Sequence, residues 1–334
     1  MSRAISRNLE APDPALEGEL RRGLDKVEAA LAEATRSDTA LVSEAGSYLL
    51  DAGGKRFRPL LVLLGGQFGD SSDPRLISVG AAVELTHLAT LYHDDVIDEA
   101  QARRGIPSVN ARWDNTVAIL TGDFLFARAS EIASHLGTDV TRLLAVTIGR
   151  VSEGQIREVE AAGRADIDVE TYLRVIELKT ASLISASCRL GGMLSAAEPA
   201  VADGLERFGH ALGMAFQLSD DIMDLVADQA TLGKEPGADL KEGVYTLPVI
   251  LSLRESEHRE ELRDLLTPEP PQGERFERAR EIVRSDGALS AARRAVAEQV
   301  RAALAEADRL PRGPAREALE HLARFLAERC NAPL

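Results

Sequence analysis

The spacing of apolar residues predicts helices along almost the whole chain. Between Ala15 and Ala34, leucine and valine recur every three or four residues, which places them on one face of an amphipathic helix. Alternating β-branched runs, which are typical of strands, are scarce. The same helical pattern predicts further helices over about 74–98, 114–135, 139–160, 169–195, 199–228 and 246–256. An all-α protein is therefore predicted.

Proline and glycine mark the breaks in this pattern. Pro12 and Pro14 close a leader over residues 1–14 that is predicted to be flexible. A polar loop is predicted over Gly233–Gly243, and a surface linker over Thr267–Gly273. Residues 274–330 are arginine- and alanine-rich amphipathic helices that we assign to the outer scaffold. Residues 15–334 are predicted to form a single all-helical domain.

Composition narrows the class of protein. The 334 residues are 45% hydrophobic, which is ample for a large core, and the formal net charge of −15 argues against nucleic-acid binding. The two cysteines have no metal-type spacing and fit a reducing cytoplasm. No run of about 18 apolar residues predicts a transmembrane helix. We expect a cytoplasmic protein without nucleic-acid partners.

Two aspartate motifs lie within the predicted helices. The pattern Asp-Asp-x-x-Asp begins at Asp94 and again at Asp220. Because residues i and i+4 share a helix face, Asp94 pairs with Asp98 and Asp220 pairs with Asp224. Like charges at this spacing destabilise a helix by roughly 0.2–0.5 kcal/mol per pair, and by more when they are desolvated. One such motif is usually a solvated acidic face, but two in apolar helices favour Mg²⁺, which prefers carboxylate and phosphate oxygens. The pair predicts two helices facing each other across a cavity and a diphosphate substrate.

Basic residues accompany the acidic motifs. The segment Gly53–Pro59 carries three cations beside two glycines at a helix start, where backbone N–H groups also favour anions. Arg103 and Arg104 follow Asp98 closely, and they either meet an anion there or neutralise local acids and the helix end.

Other polar residues stand in predicted apolar helices. Lys179, Thr180 and Gln217 do so, and a lysine there is costly unless it meets an anion. Lys234 follows the second motif in the polar loop. His87 lies two turns before Asp94 on the same face, where it is either a ligand or a core histidine.

Taken together, these motifs resemble the trans-isoprenyl diphosphate synthases of the polyprenyl synthetase family. The resemblance implies a helical bundle around a large central cavity, with the catalytic domain over residues 15–334. The matching segments run in family order over roughly residues 45–250: Gly53–Pro59, His93–Asp98, Arg103–Gly105, Gly122–Phe124, Lys179–Ala181, Gln217–Asp224, Leu232–Lys234 and Thr246–Pro248.

The resemblance also implies two diphosphate sites. The diphosphate of isopentenyl diphosphate would be held by Lys55, Arg58, His87 and Arg104. The allylic diphosphate would be surrounded by Arg103, Lys179, Thr180, Gln217 and Lys234. Three Mg²⁺ ions would bridge it to Asp94, Asp98 and Asp220, with Asp95, Asp221 and Asp224 in support. The catalytic set would be Asp94, Asp98, Arg103, Lys179, Asp220 and Lys234.

One position departs from the family pattern. Many relatives carry a lysine where this chain has Val244. One cationic phosphate contact is then missing, which weakens the hold on the allylic diphosphate or speeds its loss. Lys234, Lys179 and Arg103 remain, so we expect activity to be retained.

The length of the product is predicted from the turns that precede Asp94. Ala89 and Thr90 are small, and with Thr86 they would line the wall beside the growing chain. Since one helical turn rises about 5.4 Å, the absence of an aromatic floor here predicts a product of roughly 30 to 50 carbons. Alternatively, small residues here only allow close helix packing. Tyr92 cannot be the floor, because it points about 160° away from Asp94 on the helical wheel.

Several alternatives remain at this point. The chain could be a shorter-chain geranylgeranyl or farnesyl diphosphate synthase, a terpene cyclase, or a non-catalytic subunit of a synthase. A cyclase typically lacks the intact second motif, and a non-catalytic subunit should lack one or both motifs. The resemblance further implies a homodimer, with the helix over 114–135 at the interface, and peripheral membrane contact for product release.

Overall fold

The computed structural model describes residues 13–227, 236–285 and 287–334, and there the chain is helical except for one hairpin and short connections. The hairpin pairs β1 (Ala102–Arg103) with β2 (Ile106–Pro107) in antiparallel register. The helices are α1 (Pro14–Ala34), α2 (Ala40–Asp51), α3 (Phe57–Gly66), α4 (Arg75–Ile97), α5 (Val109–Arg112), α6 (Asn115–Leu136), α7 (Thr138–Ala161), α8 (Val169–Ile176), a π-helical turn (Glu177–Ala181), α9 (Ser182–Leu194), α10 (Pro199–Val226), α11 (Ala238–Glu242), α12 (Leu247–Glu255), α13 (Arg259–Leu266), α14 (Gly273–Ser285), α15 (Ala288–Ala307) and α16 (Pro314–Arg329). The all-α prediction is confirmed.

The predicted start of the first helix agrees with the structure, because a capping residue marks it. Residues 1–12 of the predicted leader lie outside the described residues, and Asp13 caps α1 by accepting from the Ala15 N–H at 2.7 Å. The predicted loop over residues 233–243 is described from Pro236 onward, and it contains the short helix α11.

The helix start predicted beside Gly53–Pro59 is confirmed by α3, whereas four helices were not predicted, namely α2, α5, α11 and α13. The reason is clearest for α13, which buries only Leu262 and Leu266 in an otherwise charged sequence and so gives little periodic signal. The predicted helix over 169–195 is interrupted by the π-helical turn, which apolar spacing alone does not reveal.

The described chain divides into two compact units. The first comprises the chain up to Ile148 together with Ala186–Glu206 and Arg309–Leu319. The second comprises Gly149–Ser185, Arg207–Asp308 and Glu320–Leu334. The single domain over residues 15–334 and its large central cavity stay predictions. In the described ranges, every helix is too short or too polar to cross a membrane.

The core of the first unit is built around α4, which carries the first aspartate motif. This helix packs most extensively on α6 and also on α3 and α1. Leu85, Leu88 and Tyr92 of α4 are fully buried in this core. The Tyr92 hydroxyl donates to the Ala45 carbonyl oxygen at 2.5 Å, so Tyr92 faces the core, which agrees with its predicted direction away from Asp94.

The second unit has its own apolar core. Leu225 at the end of α10 packs there with residues of α11 to α14, such as Leu240, Leu262, Phe276 and Ile282. Since Leu225 directly follows Asp224, this core fixes the end of the helix that carries the second aspartate motif.

Glycine allows close backbone approach between α3 and α9. A Cβ on Gly191 would lie 2.2 Å from the Val62 carbonyl oxygen, a distance that no side chain could accommodate without moving the backbone. By contrast, a Cβ on Gly149 of α7 would meet no atom within 4 Å.

We expect Gly191→Ala to lower the free energy of unfolding by about 1–3 kcal/mol, because overpacking forces the two helices apart. Gly149→Ala is the matched control and should raise it by about 0.5–1 kcal/mol, since alanine loses less entropy than glycine in a helix. Denaturant unfolding of both variants measures the difference. Equal effects would contradict the close approach of α3 and α9.

Candidate active site

The first aspartate motif occupies the C-terminal turn of α4, as its spacing predicts. The Asp98 N–H donates to the Asp94 carbonyl oxygen at 2.8 Å, a helical bond that keeps both residues on one face. Asp94 is half-buried and Asp98 is exposed. These two carboxylates are therefore accessible to a cation.

Asp95 is directed into the protein instead. Its side chain is fully buried, and Oδ1 accepts from Arg103 Nε at 2.7 Å. Burial raises the pKa of Asp95, whereas the charge and hydrogen bond of Arg103 oppose that shift. Its Oδ2 is buried without a hydrogen-bond partner. Asp95 thus anchors Arg103 beside the motif, in the supporting position that the resemblance implies.

The β1–β2 hairpin aims Arg103 and Arg104 in different directions. Its two turn residues, Arg104 and Gly105, have φ angles of 57° and 81°, the left-handed pair that matches the twist of a tight hairpin. Arg103 meets Asp95, and Arg104 Nη1 donates to the carbonyl oxygens of Leu49, at 2.6 Å, and of Gly53. The segment that carries both arginines is therefore an ordered hairpin.

A basic cluster lies within the first unit near α4. Burial lowers the pKa of Arg58 to about 10, with Glu84 opposing the shift and Arg104 adding to it. Arg58 Nε is buried without a hydrogen-bond partner. Burial, followed by the charges of Arg58 and Arg104, also lowers the pKa of His87 well below its ordinary value. His87 is therefore neutral at pH 7 and lies among guanidinium groups. Lys55, which is close to Arg58 in the sequence, is half-buried. This cluster, Arg58–His87–Arg104, has the chemistry of an anion site.

Arg56 belongs to the same glycine-led segment but is neutralised within the fold. Its φ of 46° places it in the left-handed region at the start of α3. Its guanidinium meets Glu28 Oε1 at 2.5 Å and Glu84 Oε1 at 3.3 Å. Two carboxylates thus hold Arg56 in place. Its role therefore differs from the anion binding that is predicted for its neighbours Lys55 and Arg58.

The residues predicted to line the product wall differ in exposure. Thr86 and Ala89 are fully buried, and Ala89 belongs to the core cluster of the first unit. Thr90 is half-buried, and its hydroxyl donates to the His87 carbonyl oxygen at 2.7 Å. Of these three residues, Thr90 is thus the one that keeps exposed surface, and it lies one helical turn before Asp94 on the same face.

In the second motif, Asp221 is held by protein donors. Its Oδ1 accepts from Gln217 Nε2 at 2.8 Å, and its Oδ2 accepts from the Tyr172 hydroxyl. Gln217 Oε1 accepts in turn from Thr180 Oγ1 at 2.9 Å. Burial and the nearby Asp239 raise the pKa of Asp221 well above its ordinary value, although the two hydrogen bonds oppose the shift. This polar chain joins the π-helical turn to the second motif.

Asp220 and Asp224 meet different partners. Asp220 Oδ1 accepts from Arg329 Nη2 at 2.6 Å, and the Asp220 side chain remains 37% exposed. Asp224 is buried, and its Oδ2 accepts from the Asp239 N–H at 3.3 Å. Asp220 is therefore the accessible carboxylate of the second motif.

Lys179 and Thr180 lie in the π-helical turn Glu177–Ala181. Such turns interrupt α-helices frequently at functional sites. Lys179 Nζ forms an ion pair with Glu158 of α7. Gly154, one turn before Glu158, allows this approach, because a Cβ there would lie 2.6 Å from the Lys179 backbone nitrogen. The sequence predicts an anionic partner for Lys179, and in this structure that partner is Glu158.

Two predicted features concern the loop after α10. Lys234 lies outside the described residues. The Val244 N–H donates to the Asp239 carbonyl oxygen at 2.8 Å, so the backbone at this position is fixed even though the lysine of many relatives is absent.

Sequence reasoning missed the partners of the motif residues. Tyr172 lies two helical turns before Lys179, a spacing that could have pointed to it. Glu84 and Glu158 gave no distinctive signal. Arg329 was assigned with its neighbours to the outer scaffold, which is wrong, because its side chain is only 9% exposed and contacts Asp220.

The carboxylates of the two motifs are of the ligand type that Mg²⁺ prefers. Asp94 and Asp98 of the first motif keep exposed surface and could each contribute an oxygen to such an ion, and the same holds separately for Asp220 of the second motif. Among the side chains that the structure describes, no three acidic, histidine or cysteine groups converge as a closed metal cluster. Mg²⁺ completes its shell with water and phosphate oxygens. The donor set therefore fits an ion that is bound together with a diphosphate.

The comparisons with known proteins agree with this chemistry. The model of the family described as polyprenyl synthetase matches residues 39–283. A nonaprenyl diphosphate synthase of Mycobacterium tuberculosis is 41% identical over 312 residues, which cover 93% of each chain.

Two solved structures have the same fold. A decaprenyl diphosphate synthase from Rhodobacter capsulatus superposes with a TM-score of 0.88 at 33% identity, covering 96% of this chain and 99% of that one. A geranylgeranyl pyrophosphate synthase from Corynebacterium glutamicum, complexed with calcium and isoprenyl diphosphate, gives a TM-score of 0.84 at 42% identity, covering 95% of this chain and 98% of that one.

The raised pKa of Asp221 makes stability depend on pH. Its folded pKa exceeds the ordinary value of 3.8, so ionisation of Asp221 destabilises the fold increasingly as the pH rises above that value. We therefore expect Asp221→Asn to raise the melting temperature of the metal-free protein at pH 7 and to change it less near pH 4.

Asp166→Asn serves as the control of opposite sign. Arg164 lowers the pKa of the exposed Asp166, so this substitution should reduce stability slightly at pH 7. Thermal melts of both variants with a chelator present provide the measurement. If Asp221→Asn destabilises the protein equally at both pH values, the hydrogen bonds from Tyr172 and Gln217 outweigh the effect of burial.

Proposed function

This chain belongs to the polyprenyl synthetase family, and we propose on that basis that it condenses isopentenyl diphosphate head-to-tail with an allylic diphosphate to give a long-chain all-trans polyprenyl diphosphate and free diphosphate. The observation that carries the proposal is that the chain has two intact aspartate motifs and, in addition, the Arg58–His87–Arg104 cluster. One substrate diphosphate would need the metal-binding motifs and the other a basic site without metal ions.

The allylic diphosphate is proposed to bind at the aspartate motifs. Asp94, Asp98 and Asp220 would hold the metal ions, three Mg²⁺ by family resemblance, and Arg103 would add positive charge from its anchor on Asp95. When bound, Mg²⁺ stabilises the charge that develops on the departing diphosphate. Lys179 would turn from Glu158 towards the same group, and Lys234 would act with it.

Isopentenyl diphosphate is proposed to bind at the basic cluster. Arg58 has a buried nitrogen without a partner, and two backbone carbonyls orient Arg104, so both cations are prearranged for an anion. Neutral His87 can donate one hydrogen bond without adding charge. Lys55 would complete the site, whereas Arg56 stays with its two glutamates.

The reaction itself needs little from side-chain acids or bases. The allylic C–O bond breaks to give a carbocation, and the double bond of the bound isopentenyl diphosphate attacks it, so proximity supplies much of the rate. The intermediate then loses a proton, which passes to the released diphosphate. Apolar walls around the proposed site would exclude water that would otherwise quench the cation.

A long product is favoured over a geranylgeranyl or farnesyl product. Thr90, the proposed wall residue that keeps exposed surface, is not aromatic, and neither are the buried Thr86 and Ala89. The relatives named above include nonaprenyl and decaprenyl synthases. A terpene cyclase or a non-catalytic subunit is less favoured, because both aspartate motifs and the basic cluster are present.

The proposal extends to assembly and location. We propose a cytoplasmic homodimer with α6 at its interface, supported by Ile119 and Leu120, which are 42% and 62% exposed on that helix. Peripheral membrane contact would serve the release of the long apolar product.

The proposed activity is tested by mixing the protein with isopentenyl diphosphate, farnesyl diphosphate and Mg²⁺. We expect diphosphate release that a chelator abolishes, and mass spectrometry should show a prenyl product of roughly 30 to 50 carbons, the length predicted from the absence of an aromatic residue one turn before Asp94. The Asp98→Asn variant should lose most of this activity, whereas the matched surface variant Asp166→Asn should keep it. No diphosphate release would contradict the proposal, and a product of 20 carbons would favour the shorter-chain alternative.

The position of the wall is tested at Thr90. The Thr90→Phe variant should shorten the product by several isoprene units, because the ring would fill the space one turn below Asp94. Thr90→Val keeps the volume and should leave the length unchanged. Product mass spectra compare the two variants, and unchanged length in Thr90→Phe would refute this wall. Ala89→Phe is a second probe, with its melting temperature measured because Ala89 is fully buried.

A further inference from the structure

The last helix of the chain carries a cation that the proposed reaction does not use. Arg329 lies in the C-terminal turn of α16, and its side chain is only 9% exposed. Its Nη2 donates to Asp220 Oδ1 at 2.6 Å. Its Nη1 is buried without a hydrogen-bond partner.

Burying a guanidinium group is costly unless a specific acceptor compensates for it. The favourable interaction of an arginine with the helix dipole at a C-terminus does not explain the burial of Arg329, because an arginine on the surface would gain the same interaction. Arg324, one turn earlier on α16, shows this alternative: its side chain is 48% exposed and pairs with Glu320 of the same helix at 3.4 Å. Arg329 differs because it reaches a residue 109 positions away.

The Arg329–Asp220 contact also gives the carboxylates of the second motif different roles. Asp221 has both oxygens bonded by Gln217 and Tyr172, so it is committed to the protein. Arg329 bonds Oδ1 of Asp220 and leaves 37% of that side chain exposed. The rotation of Asp220 is thereby fixed while part of its carboxylate stays open to a ligand.

We propose that Arg329 is a positioning residue for the second aspartate motif: it holds Asp220 from the buried side so that the open part of the carboxylate receives a divalent ion with the allylic diphosphate. The C-terminal turn of α16 is then part of the active centre. This inference rests on the proposed function. It concerns the orientation of a ligand, and Arg329 itself does not touch the substrate.

Groups that orient metal ligands have measurable effects on affinity. Their loss typically weakens metal binding or activity by about 10- to 100-fold. We therefore expect Arg329→Gln to raise the Mg²⁺ concentration for half-maximal activity by about that factor. The KM for the allylic diphosphate should rise as well. The KM for isopentenyl diphosphate should not change, because that substrate is proposed to bind the Arg58–His87–Arg104 cluster without metal ions.

A binding readout separates this role from a purely structural one. The melting temperature is measured with a chelator and then with Mg²⁺ plus inorganic diphosphate, for the wild type, Arg329→Gln and the control Arg324→Gln. The ligands should stabilise the wild type and Arg324→Gln equally, and Arg329→Gln much less. Equal stabilisation of all three proteins, together with unchanged KM values, would overturn the inference.

A double-mutant cycle tests whether Arg329 acts through Asp220. In an Asp220→Asn background, Arg329→Gln should cause no further loss of the ligand-induced shift. An additional loss of the same size as in the wild-type background would show that Arg329 acts elsewhere, and it would overturn the inference. Arg329→Lys keeps the charge and should be intermediate, which provides a test if Arg329→Gln does not fold.

These outcomes are distinct from a failure of the proposed function. If the wild type itself shows neither diphosphate release nor stabilisation by Mg²⁺ with diphosphate, the proposed function fails. If the wild type shows both and Arg329→Gln behaves identically, only the role of Arg329 fails.

Discussion

Repulsion among carboxylates that are partly withdrawn from water is the constraint on which this structure depends. Two Asp-Asp-x-x-Asp motifs lie on long apolar helices, where unpaired charge is costly. Each unit meets this cost with specific partners: Arg103 pairs with Asp95, Arg329 pairs with Asp220, and Tyr172 and Gln217 bond Asp221. The carboxylates that keep exposed surface are the ones proposed to bind metal ions. The partners therefore stabilise the fold and select which oxygens stay available for chemistry.

The basic side chains also divide into one that pairs with acids of the fold and others that are proposed to bind a ligand. Arg56 is matched by Glu28 and Glu84 and serves the fold. Desolvation lowers the pKa values of the half-buried Arg58 and Arg104, and His87 is held neutral beside them. A cluster whose positive charge exceeds its internal acids is suited to bind a diphosphate without metal ions. The physical difference between the two proposed substrate sites is thus whether carboxylates or guanidinium groups dominate.

Residue spacing was sufficient to predict much of the fold and the identity of the motifs. The helical period located α1, α4, α6, α7 and α10, and it placed Asp94 with Asp98 on one face and Tyr92 on the opposite side of the helix. It missed α13, whose charged sequence buries two leucines, and the π-helical turn around Lys179, which approaches Gly154 closely. The partners Tyr172, Glu158 and Arg329 depend on contacts across long sequence separations. A periodic pattern records which side of a helix is buried, and it carries no information about which distant residue lies there.

The central claim is that the accessible carboxylates of both motifs bind one diphosphate through shared divalent ions. A crystal structure of the protein with Mn²⁺ and an unreactive thio-analogue of the allylic diphosphate, with the ions located by anomalous scattering, tests it most directly. The account predicts ions that contact Asp94 and Asp98 on one side and Asp220 on the other, with diphosphate oxygens completing each shell. Ions bound at one motif alone, or a diphosphate that contacts neither motif, would contradict it.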